Sequence, residues 1–185
     1  MDFHTYNYHF EVPMKALNIT FDNTIKCIYT EEITNKKEFY INKSFPIKAI
    51  WLNKEMIPFK EVNLKTNYKQ VILNDDYYGK IKIEYEIILD GTTGRFPYVK
   101  EKTSDDFYLL RSETIFYPLF ITPYQENYYE HFNNPKESDL FLVNIKNHRK
   151  QIVLNNLKQG KDGLIGYNPT FAIGYFNEYK QYMDR

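Results

Sequence analysis

Cysteine is nearly absent from this chain. Cys27 is the only one in 185 residues, so no disulfide can form within it. It sits between Ile25 and Tyr29 in an alternating apolar segment, which reads as a buried, inert thiol. Surplus charge is absent too. Lys and Arg number 24 and Asp and Glu number 24, and a formal net charge of zero argues against a general polyanion binder, which needs a basic surplus on at least one face. The interleaving of Lys with aromatics at Tyr179-Lys180-Gln181-Tyr182 then reads as solvated surface rather than a base-stacking strip. No apolar run approaches the roughly 18 residues of a membrane span. The first residues lack a basic region followed by an apolar one, so no secretory signal is read there. A cytoplasmic or cytoplasm-facing protein is the expectation.

Recognisable chemistry is equally sparse. The four histidines are His4, His9, His131 and His148, and none stands in an H-E-x-x-H pair. His4 and His9 differ by an odd number, so a regular strand points them to opposite faces. His131 and His148 lie apart without metal-ligand spacing, and each reads as a surface or hydrogen-bonded His. There is no P-loop, no G-x-G-x-x-G, and no Ser in a G-x-S-x-G elbow. The adjacent carboxylates Asp75-Asp76 and Asp105-Asp106 read as turn residues. No catalytic or metal-binding residue is assigned to this chain.

What is present is alternation. Tyr6, Tyr8, Phe10 and Val12 form one strand pattern, ended by Pro13. Leu17, Ile19 and Phe21, a turn at Asp22-Asn23, and Ile25, Cys27 and Tyr29 make a hairpin. After the polar stretch Thr34–Glu38 come Phe39 and Ile41, then Ile47–Leu52 turning at Asn53-Lys54 into Met56–Phe59, with Pro58 marking an edge. Val71–Leu73, a turn at Asn74-Asp75-Asp76, and Ile81, Ile83, Tyr85, Ile87 and Leu89 follow. Gly91 and Gly94 open a loop to about Ser104. Tyr124–Phe132 is the place for a short helix, Leu140–Ile145 a strand apolar on both faces, and Ile152–Leu154 and Phe171–Tyr175 end the pattern. With 18% aromatics, rich in Tyr and Phe, strands are favoured over helices. The expectation is all-β: one domain over residues 1–185, a β-sandwich or saddle of many short, mostly antiparallel strands with little helix.

The segment Asp105–Pro123 organises the rest. Two apolar runs, Phe107–Leu110 and Ile115–Ile121, flank the polar block Arg111-Ser112-Glu113-Thr114. Pro118 prevents the second run from continuing as an ordinary central strand. Either a core strand turns a corner here, or Arg111 and Glu113 look out over a binding surface.

The layout resembles the N-terminal β domain of the aminopeptidase N-like zinc metallopeptidases, which include the leukotriene-hydrolase relatives. Tyr8–Phe10 and Leu17–Tyr29 are similar to its opening strand and hairpin, and Glu38–Glu55 (EFYINKSFPIKAIWLNKE) to the strands that follow. Ile81–Tyr85 resembles its I-x-Y strand. Phe116-Tyr117-Pro118 stands where the family closes on W-Y-P or F-P, and Leu140–Lys146 and Phe171–Tyr175 match its late strands. The resemblance implies a non-catalytic domain packed on a thermolysin-like catalytic domain, with zinc held by that other domain. It implies that Glu113, with Arg111 beside it, meets the ammonium group of a peptide substrate. The family's zinc motif and G-x-M-E-N loop belong to the catalytic domain and do not occur here. Two further readings stand beside this one: a free-standing β-sandwich module binding carbohydrate or protein, and a small-molecule carrier with a barrel-like cavity.

Overall fold

The computed structural model describes residues 15–88, 102–104 and 107–175. Its strands are β1 (Lys15–Phe21), β2 (Ile25–Asn42), β3 (Ile47–Leu52), β4 (Glu55–Met56), β5 (Phe59–Asn63), β6 (Tyr68–Ile87) and β7 (Lys102–Ser104). They continue with β8 (Phe107–Leu110), β9 (Phe141–Asn147), β10 (Ile152–Asn155), β11 (Lys158–Gln159), β12 (Leu164–Gly166) and β13 (Phe171–Gly174). One helix, α1 (Glu126–Asn133), falls where the sequence places it. Among the described residues the strands form a nine-stranded sheet ordered β11-β12-β9-β1-β2-β6-β3-β4, with β5 also on β6, and a four-stranded sheet ordered β10-β13-β8-β7. The all-β, mostly antiparallel expectation holds. The strand pattern Tyr6–Val12, the glycines Gly91 and Gly94, Leu89, the pair Asp105-Asp106, the Tyr179–Tyr182 strip, and His4 and His9 lie outside the described residues.

Period-two burial builds the large sheet. Leu17, Ile19 and Phe21 are buried on one face of β1, opposite Tyr29, Cys27 and Ile25 of β2. Asp22 closes the hairpin by accepting the Asn23 N–H at 3.0 Å through its carboxylate. β9 lies parallel to β1, setting Val143 beside Leu17, and sends Phe141 and Val143 into the same core. Burial drives the Cys27 thiol far above its ordinary pKa, against a hydrogen bond with Tyr85. It is buried, as the sequence reads.

Two strands are longer than the sequence suggests. β2 continues through Thr34–Glu38, and β6 runs straight through Asn74-Asp75-Asp76, where a turn is expected. The pair slips register at Thr34/Lys36 and again at Lys36/Glu38. Residues 73–76 therefore face Lys37 alone, Asn35 takes φ 51°, and Gly79 takes φ 115°. A Cβ at Gly79 would collide with the Asn53 side chain. Polar, Asn- and Gly-bearing stretches signal turns and bulges alike. Here both strands bulge at one place, so the ribbon bends without parting. The bend lets β5 pair with the first half of β6 and β3 with the second. The β3–β4 hairpin turns at Asn53 and Lys54, both at positive φ, as the sequence predicts.

The run Ile115–Ile121 is not a strand. From Thr114 to Leu119 the backbone is buried, and between the 3-10 turn that ends at Thr114 and the bridge at Leu119 it is irregular, so its polar groups need partners from elsewhere. Tyr40 and Leu119 exchange N–H to O bonds of 2.8 and 2.9 Å. The Asn42 N–H donates to Ile115 O at 3.0 Å, and Asn42 Nδ2 donates to Thr114 O at 3.0 Å. Tyr85 Oη donates to Phe116 O at 2.9 Å. Ile115 sits at φ 50°, a conformation a β-branched residue adopts only when held there. Phe116, Tyr117 and Ile115 thereby enter the core beside Phe171, which β13 brings from the small sheet.

Replacing Asn42, fully buried, strands the Thr114 carbonyl without that donor. Asn42→Ala is expected to lower unfolding free energy by about 1–3 kcal/mol in urea titration. A loss below about 0.5 kcal/mol, the scale of an ordinary surface substitution, would mean the side chain does not anchor this segment.

Candidate functional site

The polar block after β8 forms a single 3-10 turn, Ser112–Thr114, so the chain does turn a corner here. Thr114 Oγ1 donates back to Arg111 O at 2.7 Å and holds the turn shut. Two tyrosines brace it from the other side: Tyr124 Oη donates to Glu113 O at 3.0 Å and Tyr128 Oη to Ser112 O at 3.3 Å. The structure brings Arg111 and Glu113 together, with Nε and Oε2 3.7 Å apart, and Ser112 Oγ donates to the same Oε2 at 3.3 Å. The Glu113 side chain keeps 36% of its surface exposed. At 3.7 Å the ion pair is loose and contributes little to stability.

Helix α1 turns Tyr128 toward that corner, where it is buried. His131, Glu130 and Asn127 of the same helix line a pocket of about 440 Å³. Its floor is an ionic chain. Lys15 Nζ donates to Asp139 Oδ1 at 2.8 Å and stands 3.8 Å from Glu31 Oε1. Tyr29 Oη donates to Glu31 Oε2 at 2.6 Å, while Asp139 Oδ2 accepts the Lys136 N–H at 2.9 Å and lies 3.4 Å from His131 Nδ1. Pro118, Leu119, Phe120 and Ile121 supply an apolar wall.

Burial acts on each acid differently. It pushes the Glu31 carboxyl above its ordinary range, and Lys15 and the Tyr29 hydroxyl only partly offset this. Burial works on Asp139 in the same direction but loses to the hydrogen bonds from Lys15 and the Lys136 backbone, so that carboxyl titrates below 3.8. His131 is lowered below 6.5 by desolvation, with Asp139 opposing and Lys15 adding to the effect. His131 is thus a half-buried histidine beside the Asp139 carboxylate. Among the described residues no three His, Cys, Asp or Glu side chains gather to hold a metal ion. The third neighbour of His131 and Asp139 is the Lys15 ammonium, which repels a cation, so this cluster does not fit zinc.

Sequence reasoning missed Lys15, Glu31 and Asp139. Lys15 and Asp139 lie 124 positions apart, and only the parallel β1–β9 pairing brings their segments together. A faint local signal existed: Asp139 stands three residues after Lys136 and caps its own 3-10 turn, Glu137–Asp139.

No family profile matches the chain, and no curated protein matches it by sequence. Among solved structures, the fold is that of one part of the M1 zinc metallopeptidases and the leukotriene A4 hydrolases, in keeping with the strand layout read above. Native leukotriene A4 hydrolase from Saccharomyces cerevisiae matches with a TM-score of 0.55 and 10% identity, over 88% of this chain and 28% of that one. The M1 zinc metallopeptidase of Deinococcus radiodurans matches with a TM-score of 0.52 and 10% identity, over 89% of this chain and 42% of that one. At such identity the likeness is one of fold. The chain spans well under half the length of the proteins it matches.

A His131 pKa below 6.5 means the fold prefers the neutral ring. Its contribution is present above pH 6.5 and is lost as pH falls through the folded value. Glu31 runs the other way: its raised pKa favours the fold when protonated, below 4.5, and that contribution is lost as pH rises through the folded value. The Tm difference between wild type and His131→Gln isolates the histidine, since Glu31 is common to both. From about pH 7.5 to about pH 5 the wild type is expected to lose Tm more steeply than the variant. Parallel curves would refute the buried neutral ring.

Proposed function

We propose that this chain is the non-catalytic N-terminal domain of an aminopeptidase N-like zinc metallopeptidase, which packs on a thermolysin-like catalytic domain and helps to shape its peptide cleft. One observation carries the reading: the fold match spans 88% of this chain but only 28% of the hydrolase and, at 89%, only 42% of the bacterial peptidase. The fold of this chain thus corresponds to a part of each of those proteins. The described residues of this chain supply no zinc ligands, so in this reading the metal and the water it activates belong to the catalytic domain.

Within the cleft, Glu113 is the residue we assign to the substrate. Its backbone is pinned by Tyr124 and its carboxylate is partly exposed, which suits a charge-assisted contact to a peptide ammonium. Arg111, paired loosely with the same carboxylate, would hold it in place until the ammonium arrives.

Two measurements test this. The native protein, captured from its source cells, is expected to have a mass well above 22.4 kDa and to contain zinc, while this chain alone hydrolyses no aminoacyl substrate. A native mass equal to this chain would sink the peptidase reading and favour the free-standing binding module. In the zinc-bearing protein, Glu113→Gln is expected to raise KM for unblocked peptides roughly 10- to 100-fold, the scale of a charge-assisted contact of about 1.5–3 kcal/mol. An unchanged KM would leave Glu113 a surface residue of the corner.

A further inference from the structure

The pocket beside α1 is lined by opposite charges in equal number. Lys15, Lys36 and Lys136 share a cavity of about 440 Å³ with Glu31, Glu130 and Asp139, and a volume of that size suits a small molecule. The His131 ring, its pKa lowered by burial, stays neutral above pH 6.5 and adds no charge there. On the floor the signs alternate at close range. Asp139 Oδ1 accepts from Lys15 Nζ at 2.8 Å, and the same Nζ stands 3.8 Å from Glu31 Oε1. The first is a hydrogen bond and the second is too long for one. Glu31 Oε2 is occupied by the Tyr29 hydroxyl at 2.6 Å, so Oε1 keeps its capacity to accept. Lys15 likewise keeps N–H donors beyond the one given to Asp139. Each of the three side chains retains between 10% and 16% of its surface, which faces this cavity.

These spacings select against a charged ligand. An ammonium brought to Glu31 meets Lys15 close by, and a carboxylate or phosphate brought to Lys15 meets Glu31 and Asp139. Each gains one attraction, incurs a repulsion beside it, and loses its own hydration. A hydroxyl has none of these difficulties. It donates and accepts through a single oxygen. An oxygen about 2.8 Å from both Nζ and Oε1 fits between atoms that are 3.8 Å apart. The remaining lining suits a ring that carries several such groups. Asn127, Asn134 and Ser138 are exposed side chains that donate and accept without charge. Leu119, Phe120 and Ile121 offer an apolar wall to the C–H face of a ring. Phe120 is set in that wall by tilted packing on buried Phe39, with ring centroids 5.6 Å apart.

We propose that this pocket binds a neutral polyhydroxylated ring, a hexose, with one hydroxyl bridging Lys15 Nζ and Glu31 Oε1. Binding of this kind asks no reaction of the floor, whose ion pairs stay in place. Glu113 lies outside the lining, so the site is separate from the peptide contact proposed above and stands or falls without it.

The test is saturation-transfer NMR on the native polypeptide, with D-glucose, D-galactose and D-mannose titrated one at a time. At least one hexose is expected to bind saturably, in the millimolar range or tighter. Cyclohexanol, glycine and inorganic phosphate are then added as competitors, and none is expected to displace it. Glu31→Gln keeps the shape of the side chain and removes the ionised acceptor, and it should weaken hexose binding roughly tenfold. Asn127→Ala alters only an exposed position of α1 and should weaken binding roughly threefold, the scale of a neutral hydrogen bond. Failure of all three hexoses to bind would overturn the proposal. Displacement by glycine or phosphate would show a site for charged ligands, and displacement by cyclohexanol a merely apolar one; either overturns it. So does undiminished hexose affinity in Glu31→Gln with wild-type Tm. Should that variant not fold, undiminished affinity in Asn127→Ala decides against the site in its place.

Discussion

A stretch of buried backbone from Thr114 to Leu119, irregular over Ile115 to Pro118, joins the two sheets and depends on borrowed hydrogen bonds. A strand in that place would satisfy its own amides through a ladder, but Pro118 and the left-handed Ile115 rule one out. The C-terminal end of β2 supplies the missing partners through Tyr40 and Asn42, and β6 supplies one through Tyr85. Because these bonds lie in a dry interior, losing one leaves a polar group with nowhere to turn. The aromatic packing of Phe116 on Phe171 and of Tyr117 on Phe141 is possible only with that backbone held. The segment is therefore the joint through which the small sheet and β9 are tied to the long β2–β6 ribbon.

The same joint positions both polar features of the molecule. On one side the chain enters it through the Arg111–Thr114 corner, braced by Tyr124 and Tyr128. On the other side Pro118 to Ile121 wall the pocket above Lys15, Glu31 and Asp139. Helix α1 spans the two, with Tyr128 facing the corner and His131 facing the pocket. The ionic floor is a balanced one: a single ammonium between two carboxylates, one held ionised by hydrogen bonds and the other pushed toward its neutral form by burial. Such an arrangement fixes the join between β1, β2 and the chain before β9 more than it offers chemistry. Glu113, by contrast, is only partly buried, with Arg111 3.7 Å away.

Much of this was legible in the residues. Leu17, Ile19 and Phe21 against Ile25, Cys27 and Tyr29 declared the first hairpin, Asn53-Lys54 the second, and Tyr124–Phe132 the helix. Pro118 announced that the run through it could not be a central strand. The reading failed where one local signal serves two structures. Asn74-Asp75-Asp76 has the composition of a turn, yet it lies in a strand that bulges with its partner, because Thr34–Lys37 across the ribbon bulges too. No property of either stretch alone distinguishes the cases. The pocket floor was illegible for a simpler reason: Lys15, Glu31 and Asp139 carry no motif, and their meeting is a consequence of pairing.

Alternation of apolar side chains, through burial on one face of a pleat, was enough by itself to determine an all-β chain with its strands near their true places. Single residues with narrow backbone preferences, Pro118 and Asn53, set where regularity must break. Which strands pair was decided only in three dimensions. Register across β1–β9 and β2–β6 depends on the simultaneous fit of distant faces, and a one-residue slip would expose every core side chain. The corner that carries Glu113 and the ion chain beside His131 both follow from that fit, because each joins residues that no local rule connects.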